Sequence, residues 1–130
     1  MSLHFNKVKS LYKKSDNSDN TVKSPMEVVH TMIKELKRSM ETVASTTNIT
    51  KKRLDRSKHF SRALVIIYTL QTSLDFDKGG KLATELFQIY EYCRQQLIKG
   101  FQKKISEGIK KAIKALNDIF DFETKVVDNV

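Results

Sequence analysis

The sequence predicts an all-α fold, an antiparallel up-down four-helix bundle behind a mobile N-terminal arm. Three observations carry this. Apolar residues recur at helical spacing in four separate stretches. Clusters rich in Thr, Asn, Asp and Gly, which interrupt helices, divide those stretches. Only four Gly and one Pro occur in 130 residues, too few for the many turns of an all-β domain.

Residues 1–23 differ from the rest. The run Lys13-Lys14-Ser15-Asp16-Asn17-Ser18-Asp19-Asn20 is polar and without period. It cannot bury enough surface to offset its ordering entropy, so it reads as a mobile arm. Leu3, Phe5, Val8, Leu11 and Tyr12 would let the arm dock transiently on an apolar groove, the alternative being a frayed terminus.

Helix 1 opens at Ser24-Pro25-Met26-Glu27. A serine N-cap accepts from an orphan amide, and proline at the first helical position has no amide to leave unpaired. A glutamate three residues after the cap suits the positive end of the helix dipole. The apolar stripe is Met26, Val29, Ile33, Leu36, Met40 and Val43, and a break follows at 45–50. Helix 2 carries Phe60, Ala63, Ile67, Leu70 and Leu74, then a charged Gly-Gly turn over 75–80. Helix 3 carries Ala83, Leu86, Tyr90, Cys93 and Leu97, with Gly100 expected just past its end. Helix 4 carries Ile105, Ile109, Ala112, Leu116 and Ile119. Each helix should be roughly 18 to 24 residues long, and short links make sequential helices antiparallel neighbours.

Helices 2 and 3 hold more apolar surface than one stripe. Val65, Ile66 and Tyr68 fall off the stripe of helix 2, and Leu82, Ile89 and Tyr92 sit at or beyond the edge of that of helix 3. These six residues are the expected partner-binding set. A second apolar face meets another chain or the arm; the other reading is a skewed bundle that buries a wide stripe.

Composition excludes several chemistries. One Cys excludes a disulfide framework, and with three His it excludes a Cys/His zinc site. Glu27 and His30 have the Glu-x-x-His spacing of a di-iron bundle, but the second such motif is missing. Cys93 on a core stripe reads as a buried, inert thiol. Asp77-Lys78-Gly79-Gly80-Lys81 lacks Walker spacing. No catalytic set, metal or cofactor is expected, and the chain does not read as an enzyme. Its longest apolar run, Ala63 to Tyr68, is far below the ~20 residues of a membrane span, and no secretory h-region is visible, so a cytosolic protein without membrane insertion is expected.

The net charge of +9 raises nucleic acid as a partner. Lys51, Lys52, Arg53, Arg56, Lys58 and Arg62 form one basic cluster, and Lys99, Lys103, Lys104, Lys110, Lys111 and Lys114 another. No helix-turn-helix, zinc-finger spacing or aromatic-interleaved basic stripe accompanies them, which favours a solvated Lys-rich surface.

The segment from Ser73 through Tyr92, with Ser73-Leu74-Asp75, Asp77, Gly79-Gly80, Ala83 and Leu86-x-x-Ile89-Tyr90-x-Tyr92, resembles the signature region of the flagellin-specific secretion chaperones, the FliS family. Ser24-Pro25-x-Glu27, Ile66-Ile67-x-x-Leu70 and Leu116-Asn117-Asp118-Ile119-Phe120 match further family motifs in register. Val28 replaces a usual Leu, His30 to Glu35 replace the usual apolar stretch of helix 1, and the N-terminal tyrosine motif is reduced to Tyr12. The resemblance spans residues 24–122, leaving an arm over 1–23 and a tail over 123–130. It implies a helical-bundle chaperone in the bacterial cytosol. Such a protein binds the disordered C-terminal segment of flagellin one to one, prevents premature polymerisation and, through that complex, reaches the flagellar type III export gate. It also singles out Asp77, Gly79 and Gly80 as the turn motif. A non-specific nucleic-acid binder and a weak homodimer using the same apolar face are the alternatives.

Overall fold

A computed structural model describes residues 24–120. The arm, the tail and the end of the expected bundle at 121–122 lie outside the described residues. Four helices form: α1 (Pro25–Ser45), α2 (Arg53–Thr72), α3 (Phe76–Lys103) and α4 (Glu107–Ile119), with a 3₁₀ turn, Thr50–Lys52, before α2. α1 packs on α2 and α4, α3 packs on α2 and α4, and α1 meets α3 across the bundle. Contacts run in opposite senses along neighbours. On α2 and α3, Gln71 reaches Phe87 and Arg56 reaches Gly100. On α3 and α4, Tyr90 pairs with Phe120 and Cys93 with Ala112. This is the antiparallel up-down bundle the periodicity predicts.

The start of α1 is as expected. Ser24 Oγ accepts from the Glu27 amide at 3.2 Å, and Pro25 is the first helical residue. Ser24→Ala should therefore lower stability by about 0.5–2 kcal/mol; superimposable melting curves of the two proteins would remove the cap. The whole first stripe is buried, as are Ala63, Ile67, Leu70 and Leu74 of the second and all of the third. α1 ends because Thr46 and Thr47 turn their hydroxyls back: Thr46 Oγ1 donates to Thr42 O at 2.6 Å and Thr47 Oγ1 to Ala44 O at 2.9 Å.

The helix lengths depart from expectation. α3 runs 28 residues and α4 only 13. The Gly-Gly turn is largely helical. Asp75 caps it by accepting from the Lys78 amide at 3.1 Å, and a kink sits at Gly80 (φ 52°, ψ −128°). Among the described residues Gly80 is the one glycine with positive φ, and a Cβ there would meet nothing within 4 Å. Its requirement is backbone conformation, not close approach. Gly80→Ala should cost about 1–3 kcal/mol of strain, whereas Gly79→Ala should be neutral or stabilising. Equal unfolding midpoints for the two variants would contradict this.

Gly100 is not the residue after α3. It lies inside the helix, and Lys104 takes the left-handed cap (φ 55°, ψ 46°) with its amide on Gly100 O. Glycine is required at 100 because the chain folds back onto it: a Cβ would lie 2.6 Å from Ile105 O and 2.7 Å from Ile109 Cδ1. Ile105 consequently falls in the α3–α4 link and is exposed, so the fourth stripe begins at Ile109.

Candidate partner-binding surface

The sequence-predicted set splits on the structure. Val65 and Tyr68 are 64% and 67% exposed. Ile66, Leu82 and Ile89 are half-buried against the core, and Tyr92 is only just exposed. Helical geometry places them on three flanks. At about 100° per residue, Ile66 and Tyr68 lie about 200° apart. Ile66 shares its flank with His59, whose Nδ1 is 3.3 Å from Ser39 Oγ of α1. Tyr68 lies on the side of Gln71, whose Nε2 donates to Phe87 O of α3 at 3.3 Å. Leu82, Ile89 and Tyr92 follow the side of α3 that carries Cys93 toward α4; Tyr92 borders a cleft with Gly108 and Lys111 of α4. The six do not form one groove. They form a discontinuous apolar band around α2 and α3.

Residues missed in that set complete its outermost part. Phe76 and Phe87 are 46% and 39% exposed, with ring centroids 6.0 Å apart, on the side of α3 that meets α2. With Tyr68, on the flank of α2 nearest α3, they form an exposed aromatic ridge beside the α2–α3 seam, whereas Val65 points outward from α2, opposite its core stripe. The sequence signal was available: Phe87 directly follows the core residue Leu86, so it cannot share its direction.

In the turn motif, Asp77 is exposed in the first turn of α3, where its charge suits the dipole, while the capping role belongs to Asp75. The Gly79 amide donates to Asp75 O at 2.8 Å.

Polar side chains tie together the helices that carry the band. Arg56 is buried, which removes it from the expected basic cluster. Its Nη2 donates to Gly100 O and Phe101 O at 3.2 and 3.3 Å, satisfying the C-terminal end of α3. The guanidinium lies 4.5 Å over the Phe101 ring, which stacks on Phe60 with centroids 4.0 Å apart. Burial lowers the pKa of Arg56, yet arginine stays charged. On α3, Arg94 donates to both oxygens of Glu91 at 2.9 and 2.6 Å. That hydrogen bonding first, helped by Gln71, holds the Glu91 carboxyl down at about 2. Its contribution to stability is present above the ordinary carboxyl pKa and is lost as pH falls toward 2.

One Ser-His-Asp grouping lies between α1 and α2. Ser39, His59 and Asp55 come together, with His59 Nε2 3.8 Å from Asp55 Oδ1. Ser39 is fully buried, so no substrate reaches its hydroxyl; the group ties α1 to α2. Burial pushes the Cys93 thiol up to about 12, far from a reactive thiolate. Among the described residues no cluster of His, Cys, Asp and Glu could hold a metal ion, and Glu27 is exposed beside its cap.

The model of the family described as flagellar protein FliS matches residues 8–125. The chain belongs to the FliS family. The match extends on both sides of the region in which the motifs were recognised, and it makes this FliS-family chain a member of a flagellar export chaperone family rather than an enzyme family. No curated protein matches the chain in a sequence search. Among the described residues, no helix of this FliS-family chain is long and apolar enough to cross a membrane.

Proposed function

We propose that this FliS-family protein binds the disordered C-terminal segment of flagellin, one to one, in the bacterial cytosol. It thereby prevents premature polymerisation and delivers the subunit to the flagellar type III export apparatus. The observation that carries this reading is the discontinuous apolar band: Val65 and Tyr68 on α2, Phe76 and Phe87 on the α2 side of α3, and the partly buried Leu82, Ile89 and Tyr92 on its α4 side. A band spread over several flanks suits an extended client that wraps the bundle. A single helix would need one continuous groove. A disordered client loses ordering entropy on binding, which keeps a large apolar contact reversible, as a carrier requires. The loss of Arg56 from the first basic cluster weakens the nucleic-acid reading.

Calorimetric titration of the full chain with the C-terminal segment of flagellin tests this. Saturation at one to one, with a negative heat-capacity change and little dependence on salt, is expected. Absence of binding overturns the reading. Size exclusion over a concentration series separates it from a homodimer that uses the same band.

A further inference from the structure

On the side of the bundle away from the α2–α3 seam, a trough of about 900 Å³ runs between α1 and α4. Thr42, Ala44 and Ser45 are small and leave it open on the α1 side. Its walls carry Lys34, Lys37 and Arg38 of α1 and Lys110 of α4, against the single carboxylate of Glu41. Arg38 lies 3.7 Å from Glu35. Lys37 Nζ donates across the trough to Asn117 Oδ1 at 3.0 Å, a neutral acceptor that positions the amine without neutralising it. Among the described residues Lys34, Lys37 and Lys110 have no ion pair. The floor includes Ala44 and the half-buried Ile113.

We propose that this trough docks an acidic, amphipathic helical segment of a second protein while the flagellin-binding band stays accessible. Charge complementarity selects the occupant. Lys34, Lys37 and Arg38 recur at helical spacing at one end of the trough, and Lys110 stands on the α4 wall two turns from Asn117, the partner of Lys37, so carboxylates spread over about two turns of a docked helix would meet cations on both walls. Its apolar residues would cover Ala44 and Ile113. Glu41 would pair with a basic residue of such a helix. A nucleic-acid backbone would instead meet Glu41 as a like charge and leave the apolar floor uncovered. A second copy of this basic face is repelled.

The test is fluorescence anisotropy with the full chain and a labelled model peptide of about 20 residues, Glu and Leu at helical spacing, long enough to be helical. Lys37→Glu/Lys110→Glu should weaken binding about tenfold or more. Lys58→Glu/Lys99→Glu, the same charge change at exposed positions on α2 and α3, should change it by less than about threefold, a difference of less than ~0.7 kcal/mol. The Gln-for-Glu peptide should bind poorly, affinity should fall with salt, and excess flagellin segment should leave the probe bound. Circular dichroism melts establish that each variant is folded. The proposal is overturned by equal losses in both double variants, by a Gln peptide that binds as well, by tighter binding of duplex DNA to the same residues, or by displacement of the probe with the flagellin segment. The direct titration stands whether or not flagellin binds, so its failure is separate from failure of the chaperone reading.

Discussion

Gly100→Ala is expected to destabilise the bundle by about 1–3 kcal/mol, and Gly100→Val by more. A Cβ at this position would lie 2.6 Å from Ile105 O and 2.7 and 2.9 Å from Ile109 Cδ1 and Cγ1. Ile109 is fully buried and cannot swing away, and Ile105 O belongs to the backbone of the link into α4. That link is held by the Ile105 amide on Gly100 O at 3.1 Å, and the same carbonyl accepts from Arg56. Relieving the clash therefore strains the end of α3, the seat of α4 and the Arg56 contacts together. Alanine's better helix propensity offsets up to ~1 kcal/mol, and sterics should win because the nearest atom is backbone. Urea unfolding of the two proteins measures the difference. An unchanged midpoint would mean that the link shifts freely.

Tyr68→Ala/Phe87→Ala should raise the Kd for the flagellin C-terminal segment about tenfold or more while leaving stability nearly unchanged. Tyr68 is mostly exposed and Phe87 only just so, but neither belongs to the buried core, so truncation opens no core cavity, and tyrosines are frequent binding anchors. Each ~1.4 kcal/mol of lost contact is a factor of ten in affinity. Ile67→Ala is the opposite case: Ile67 is fully buried, and its truncation should cost about 2–5 kcal/mol of stability. Ile66 and Ile89 are poorer reporters than their off-stripe positions predict, because both pack against the core and their truncation mixes the two effects. Calorimetry beside thermal melts separates these outcomes. Equal affinity in a folded Tyr68/Phe87 double variant would remove the ridge from the site.

The four-helix plan, the cap at Ser24 and nearly every core residue were legible in the sequence, because apolar spacing and capping chemistry are local. Met26 through Val43 repeat every three or four residues, and that repeat by itself dictates which face of α1 is buried. The family was legible for a related reason: the turn from Ser73 into α3 packs several constrained residues into one short stretch. The Gly-Gly pair left positive φ and close helix approach equally open for both residues, and the structure assigns positive φ to Gly80.

Tertiary structure decided the rest. Gly100 lies inside α3 and Lys104 takes the left-handed cap because α4 folds back onto α3, and a contact between helices outweighs the preference for glycine at a helix end. Arg56 looks like one more surface cation until α3 brings the Gly100 and Phe101 carbonyls and the Phe101 ring to it. The binding set divided among three flanks because exposure depends on which neighbour each side meets. Helical spacing gives a residue's direction about its own axis, whereas the positions of the neighbouring helices decide whether that direction ends in core, seam or solvent. The basic trough is of the same kind: Lys37 and Lys110 are 73 positions apart in the chain, and only the packing of α4 on α1 makes them two walls of one surface.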